Sequence, residues 1–288
     1  FMGRNTTYSE MLEQVHKCAR AYKTIGVRKG DRVTLALPNC PQAVLSFYAL
    51  SCIGAIANMV HPLSAEKELE FFINESESVT VVTLDQFYNK IEAIRRNTKL
   101  LNTVVASVKD ELSPAVRAGY MMVEGRKITR IPKDAPIISW KKFMNYSKYW
   151  KWEYQEDTGP DDTAVILYSG GTTGRTKGIE LTNLNFNALG AQIIGTNPMF
   201  RPGDVMLAAM PVFHGFGLGV CIHAMLISGG TASLVPRFTP KSYSRLITRN
   251  KCNFIAGVPT LYEALIHEPS MEGADLSSLK GVFSGGDS

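Results

Sequence analysis

Short Val- and Leu-rich runs alternate with stretches of helical period along most of this chain, and that alternation excludes most folds. Met11, Leu12, Val15, Ala19 and Tyr22 fall at helical spacing, so 8–25 is expected as a helix, with Ser9 as its N-cap and Gly26 as its stop. Residues 31–37 alternate little between apolar and polar, as a strand covered on both faces does. The same reading continues with helix 41–54, strand 56–60, helix 66–74, strand 79–83, helix 86–96 and strand 103–108. It resumes with strand 163–167, helix 182–195, strand 204–209, helix 214–227, strand 231–235, helix 240–251, strand 253–257, helix 259–267 and strand 281–284. Repeated strand–helix–strand order calls for parallel strands with helices on both faces, an α/β fold.

Residues 110–161 break the rhythm. They are mixed in charge, aromatic, and interrupted by Pro114, Pro132 and Pro136. Residues 124–131 read as a hairpin arm and the rest mostly as connection. Within this stretch, 140–152 interleaves Trp140, Tyr146, Tyr149, Trp150 and Trp152 with lysines, a composition that can bind single strands. No nucleic-acid motif accompanies it, so the patch is expected to be a surface connection whose aromatics pack on the neighbouring domain.

The 288 residues are 45% hydrophobic and 20% charged, enough for one large core or two ordinary ones. A net charge of +5 suits an anionic small molecule without requiring nucleic acid. Residues 33–65 and 205–236 contain no Asp, Glu, Lys or Arg. Pro38, Asn39, Pro41 and Asn58 break the first, and Pro211, His214 and several glycines break the second, so neither reads as a membrane span. The five cysteines form no Cys-x-x-Cys pair and read as buried free thiols in a reducing, cytoplasmic setting. The five histidines show no metal-ligand spacing. No secretory signal opens the chain, and Phe1 and Ser288 read as cut ends of a longer protein.

The chemistry concentrates in residues 168–178, Tyr-Ser-Gly-Gly-Thr-Thr-Gly-Arg-Thr-Lys-Gly, between an apolar strand and a helix. Glycines let backbone N–H groups approach a polyphosphate, hydroxyls donate, and the ammonium supplies charge. Lys177 follows Thr176 and precedes Gly178, so the Walker pattern fails. The Gly-x-Gly-x-x-Gly of kinases and dinucleotide-binding proteins is absent as well.

The stretch resembles the phosphate loop of the acyl-adenylate-forming enzymes, the superfamily of acyl-CoA synthetases, luciferases and peptide-synthetase adenylation domains. Gly170 stands where that pattern has Ser or Thr, and Thr176 where it has Pro. Further segments resemble the family in order and spacing: Arg28 to Val33 with Pro38-Asn-Cys-Pro41, residues 54–62, Met210 to Gly217, Val258 to Tyr262, and Phe283 to Gly286. The Phe-His-Gly-Phe-Gly-Leu run from Phe213 resembles fatty-acyl and luciferase-type enzymes more than acetate activators, and the chain as a whole is most similar to the fatty-acyl CoA ligases.

The resemblance implies a fold and roles. The fold is the family's large N-terminal domain, two αβαβα subdomains, without the β-barrel part and the small C-terminal domain. One subdomain would be about 1–57 plus 206–288, holding the acyl pocket; the other would be about 58–205, holding the phosphate loop, with the active site in the groove between them. Ser169, Gly170, Gly171, Thr172, Thr173, Gly174 and Lys177 would hold the ATP phosphates. His214 would position the carboxylate, and no residue is assigned as a catalyst. Gly215, Phe216, Val258, Pro259, Ser284, Gly285, Gly286 and Asp287 would join His214 around the acyl group and adenine, with Phe216, Leu218, Val220, Met225 and Val258 as apolar lining. The reaction would be acid plus ATP to acyl-AMP and pyrophosphate, then transfer to coenzyme A, with Mg²⁺ accompanying ATP and no protein-bound metal. Residues 214–236 carry no carboxylate to pair with an amino group, so a fatty or aryl acid fits better than an amino acid. Aryl-acid or amino-acid adenylation, a nucleotide-binding module without turnover, and an ATP hydrolase stand as alternatives. The expected partners are the small-molecule acid, ATP and CoA, with no nucleic acid and no transmembrane segment. An apolar face where the missing parts would pack is expected to favour self-association as a homodimer, and the 288-residue piece alone is expected to be nearly inactive.

Overall fold

The computed structural model describes residues 1–125, 128–169 and 176–286. They form two compact units, Met2–Leu37 with Pro41–Asn183, and Phe1 and Pro38–Cys40 with Leu184–Ser288. The fold is α/β, as the alternation of runs implies.

The larger unit contains α1 (Tyr8–Thr24), β1 (Arg32–Ala36), α2 (Pro41–Cys52), β2 (Ile56–Met59), α3 (Glu66–Glu75), β3 (Thr80–Leu84), α4 (Tyr88–Ile94) and β4 (Asn102–Ala106). It continues with α5 (Pro114–Glu124), β5 (Ile138–Ser139), α6 (Trp140–Asn145), β6 (Thr163–Ser169) and β7 (Lys177–Thr182). Its seven strands lie in the order β5-β4-β3-β1-β2-β6-β7. All neighbours are parallel except β6 and β7, which form an antiparallel pair. β1 is hydrogen-bonded on both sides, Val33 lying opposite Ala57 and Thr80, and Val33, Thr34 and Leu35 are wholly buried. A strand with no wet face has no reason to alternate, which is why 31–37 reads as a continuous apolar run. On one face of the sheet Leu69, Phe72 and Ile73 of α3 pack with Val60, Val81 and Ile91.

That central position of β1 corrects the expected subdivision. The resemblance groups residues 1–57 with 206–288, but β1 pairs with β2 and β3, and Met2–Leu37 with Pro41–Asn183 forms one unit. The cap of α1 is corrected too. Thr7, not Ser9, takes the Glu10 amide at 3.2 Å, while Glu10 Oε2 accepts the Thr7 amide at 2.8 Å. A capping box needs Glu or Gln three residues after the cap, and Thr7 has Glu10 there whereas Ser9 has Leu12.

The irregular stretch is more ordered than its composition suggests. Residues 114–124 form α5, with Pro114 in the first turn, so Glu124 ends a helix instead of starting a hairpin arm. Arg126 and Lys127 of that expected arm lie outside the described residues, and 128–131 belong to no strand. Trp140 and Phe143 of α6 are buried, Phe143 edge-on to Tyr22 of α1 with ring centroids 4.8 Å apart. Among the described residues no helix is long and apolar enough to cross a membrane.

The smaller unit contains nearly all of α7 (Asn183–Thr196), then β8 (Val205–Ala208), a π-helical segment Phe216–Ala224 continued by α8 (Met225–Ile227), β9 (Thr231–Leu234), α9 (Pro240–Arg249), β10 (Phe254–Gly257), α10 (Pro259–Ile266) and β11 (Gly281–Ser284). Its four strands lie in the order β11-β10-β8-β9, all parallel. Leu207 and Ile255 of the sheet pack with Tyr243 and Ile247 of α9 and Leu261 and Leu265 of α10.

Candidate functional site

The lysine of the glycine-rich stretch sits at the foot of a hairpin. β6 and β7 pair from Thr163 opposite Thr182 to Ser169 opposite Lys177. β7 is a strand the sequence reading missed. Ile179 and Leu181 alternate as a strand requires, but Lys177, Gly178 and Glu180 around them masked the signal. Lys177 is exposed and Ser169 half-buried. Gly170, Gly171, Thr172, Thr173 and Gly174 lie outside the described residues.

The root of that hairpin is fixed from beneath. The Tyr168 ring packs on Phe72 with centroids 4.2 Å apart, and its hydroxyl donates to the Phe72 carbonyl at 3.3 Å. Burial pushes the Tyr168 phenol up to about 12, a bond with the Asn58 side chain opposing the shift. Asn58 is itself buried and donates to Thr34 Oγ1 and Ser76 Oγ, each at 2.9 Å. Thr34 Oγ1 in turn donates to Ser78 Oγ at 2.8 Å. This polar cluster holds β1, β2 and the end of α3 together under Tyr168, and Asn58 belongs to it through its hydrogen-bonding side chain. Gly178 lies opposite Tyr168, where a Cβ would come within 3.2 Å of Ile166 Cγ2.

In the smaller unit, parallel pairing collects the other expected residues along one sheet edge. The segments leaving the carboxyl ends of β8, β10 and β11 carry His214, Val258 with Pro259, and Gly285 with Gly286, and β11 itself ends at Ser284. In open α/β sheets that edge is where ligands bind. Gly285 N–H donates to the Gly257 carbonyl at 3.3 Å, and Tyr262 Oη donates to the Phe283 carbonyl at 2.5 Å. Gly286 has φ +83°, a conformation that favours glycine, and a Cβ there would sit 3.6 Å from Val258 Cγ1. The structure therefore brings Val258 and Gly286 together. Val258 is the extended N-cap of α10 and Pro259 occupies its first turn. Asp287 lies outside the described residues.

His214 is exposed and precedes Gly215, the N-cap of the π-helical segment. Its Nδ1 accepts the Phe216 amide at 3.2 Å and its carbonyl accepts the Leu218 amide at 2.9 Å. With Nδ1 an acceptor, a neutral imidazole carries its proton on Nε2, where it is a donor. Phe216, Val220 and Val258 are half-buried, whereas Leu218 and Met225 are wholly buried. Those two were expected as pocket lining and belong instead to the packed interior of the unit.

Two residues hold the His214 segment in place. Asn39, from the short piece Pro38–Cys40, donates to the Ala208 carbonyl at 3.0 Å and the Met210 carbonyl at 2.8 Å, and its Oδ1 accepts the Val212 amide at 2.7 Å. One side-chain amide thus satisfies three backbone groups of the turn that follows β8. Gly217 lies so close to that turn that a Cβ would be 2.0 Å from the Pro211 carbonyl oxygen and 2.4 Å from that of Met210. Among the described residues no cluster of His, Cys, Asp and Glu could hold a metal ion.

Comparisons with known proteins agree with these features. The sequence pattern of the AMP-binding enzymes matches residues 1–288. A long-chain-fatty-acid–CoA ligase of Bacillus subtilis is 31% identical over 99% of this chain and 51% of its own length. 4-Coumarate–CoA ligase 3 of Arabidopsis thaliana is 28% identical over 98% of this chain and 46% of its own length. The chain therefore spans about half the length of the curated relatives it matches. Among solved structures, ATP-bound MatB from Rhodopseudomonas palustris superposes with a TM-score of 0.80 at 23% identity, over 99% of this chain and 50% of the other.

Proposed function

The chain belongs to the AMP-binding enzyme family, and on that premise we propose that it forms the large N-terminal part of an ATP-dependent carboxylic acid–CoA ligase. The observation that carries the reading is the hairpin root, where Ser169 and Lys177 pair across β6 and β7 at the two ends of the glycine- and threonine-rich sequence. Backbone amides and hydroxyls of that loop bind the β- and γ-phosphates of ATP, and the Lys177 ammonium neutralises the pyrophosphate as it leaves. Mg²⁺ enters as part of the nucleotide substrate and takes no protein ligand in this account.

The first step balances without a protein nucleophile. A substrate carboxylate oxygen attacks the α-phosphorus, the bond to the β-phosphate oxygen breaks, and acyl-AMP and pyrophosphate form. The CoA thiolate then attacks the acyl carbon, and AMP departs with one oxygen of the original carboxylate. His214 donates from Nε2 to the carboxylate and orients it. The Nδ1 bond to the Phe216 amide supports that role because it fixes the neutral tautomer.

A fatty acid is the substrate class we favour. No Asp, Glu, Lys or Arg occurs in residues 205–236, so an amino acid would find no partner for its ammonium group there. The similarity to a coumarate ligase supports aryl acids as the second reading. Acid-dependent exchange of pyrophosphate into ATP, measured on a chain of the relatives' length against a panel of acids, tests both. Exchange is expected with fatty or aryl acids, and Lys177→Ala should raise KM for ATP more than KM for the acid. Exchange with amino acids alone would overturn the substrate class. A larger effect of Lys177→Ala on the acid than on ATP would overturn the role of the loop.

A further inference from the structure

The basic aromatic stretch 140–152 is not consumed by any role above. It carries Lys141, Lys142, Lys148 and Lys151, and no Asp or Glu. Trp140 and Phe143 anchor it in the core, but all four lysines are exposed, and Tyr149 and Trp152 are 58% and 70% exposed. The expectation that the aromatics pack on the neighbouring domain fails for Tyr149 and Trp152, while Trp140 packs on Phe143 of its own unit.

Ring contacts order this stretch in two groups. The Lys142 ammonium stands 5.9 Å over Tyr146, Tyr146 and Tyr149 have centroids 6.1 Å apart, and Lys148 stands 5.0 Å over Tyr149. Beyond it Lys23 stands 5.6 Å over Trp150, whose ring meets Trp152 edge-on at 5.4 Å. Trp150 Nε1 donates to the Glu153 carbonyl at 3.2 Å, which holds the pair of indoles in place. The nearest acidic groups along the chain are occupied. Glu153 accepts the Tyr154 and Gln155 amides, and Glu156 is paired with Lys23 at 2.6 Å.

We propose that residues 140–152 form a docking surface for an anionic lipid bilayer. The charge is complementary, and indole and phenol rings flanked by lysines are the side chains that settle at headgroup depth, with ammonium groups among the phosphates. Ordering of Trp152 by Trp150 lowers the entropy lost on insertion. A single-stranded nucleic acid fits less well. Ammonium groups already stand over Tyr146, Tyr149 and Trp150, and the edge-on indoles offer no row of open ring faces for successive bases. With no membrane-crossing helix among the described residues, the contact is peripheral. The inference does not rest on the adenylation reading, so each can fail alone.

Sedimentation with phosphatidylserine–phosphatidylcholine vesicles tests it, with phosphatidylcholine vesicles and an oligo-dT strand as comparisons. Binding is expected to the phosphatidylserine vesicles and to fall as salt is raised. Replacing Lys141, Lys148 and Lys151 together by Gln should lower the partition coefficient about a hundredfold, taking about 1 kcal/mol per lysine near an anionic surface. Brominated acyl chains should quench the tryptophan fluorescence, and Trp152→Ala should remove most of that quenching. Absence of vesicle binding, binding indifferent to these substitutions, or tighter binding of oligo-dT than of vesicles would overturn the proposal.

Discussion

Asn39→Ala should destabilise the smaller unit by about 3–5 kcal/mol, a figure that follows from its three hydrogen bonds. The bonds donated to Ala208 and Met210 contribute about 1 kcal/mol each net, and the buried Val212 amide left without an acceptor costs about 1–3 kcal/mol. Asn39→Asp separates hydrogen-bond direction from size. The carboxylate still accepts the Val212 amide but sets negative oxygen against the Ala208 and Met210 carbonyls. At neutral pH it should therefore be at least as destabilising as Ala. Below the carboxyl's pKa the protonated side chain regains one donor, so part of the loss should be recovered. The three tryptophans all lie in the larger unit, so their fluorescence does not report this event. Urea unfolding followed by circular dichroism, with hydrogen exchange read at the Val212 amide, does. A loss below about 0.5 kcal/mol, the range of ordinary surface changes, would refute the clamp. So would Asn39→Asp matching the parent at neutral pH.

Other expectations concern the same unit. Gly217→Ala places a methyl group 2.0 Å from a backbone oxygen that cannot swing aside; it should cost about 3 kcal/mol or more, and a shift in urea midpoint no larger than a surface Gly→Ala change would count against that. His223 packs on Phe186 with centroids 4.5 Å apart, and burial lowers its pKa from 6.5 to about 4. The unfolded chain then takes up the proton first. The stabilisation is complete above pH 6.5 and is lost as pH falls towards 4, by about 3 kcal/mol in all. His223→Gln should remove that slope from urea midpoints measured across the window, and an unchanged slope would assign it to other groups.

The elements that were legible in the sequence are those whose burial leaves a local mark. β1, buried on both faces, shows as an unbroken apolar run, and the carboxyl-edge grouping of Val258, Ser284 and Gly285 follows once the strands are taken as parallel. Asn39 shows nothing local. Its partner Ala208 lies 169 residues away, and in the sequence Asn39 marks a break in an apolar stretch and one place in the family-like Pro38–Pro41 segment, neither of which shows its role as a clamp. Asn58 has the same history, because its partners Thr34 and Ser76 lie on two other elements. In α5 and the cap of α1 the signals were present: Ser113 before Pro114, and Thr7 three residues before Glu10. Prolines and mixed charge obscure the first, and Ser9 offers a rival hydroxyl in the second. The domain division failed for a topological reason. Chain order alone does not show that β1 enters the middle of the seven-stranded sheet.

The central claim is that the substrate carboxylate, with no protein nucleophile, attacks the α-phosphorus of ATP. Heavy-oxygen labelling tests it most directly. A chain of the relatives' length, supplied with ATP, CoA and a fatty acid labelled in both carboxyl oxygens, should yield AMP carrying one labelled oxygen, together with pyrophosphate and acyl-CoA. Unlabelled AMP, or ADP and labelled inorganic phosphate in its place, would contradict the account.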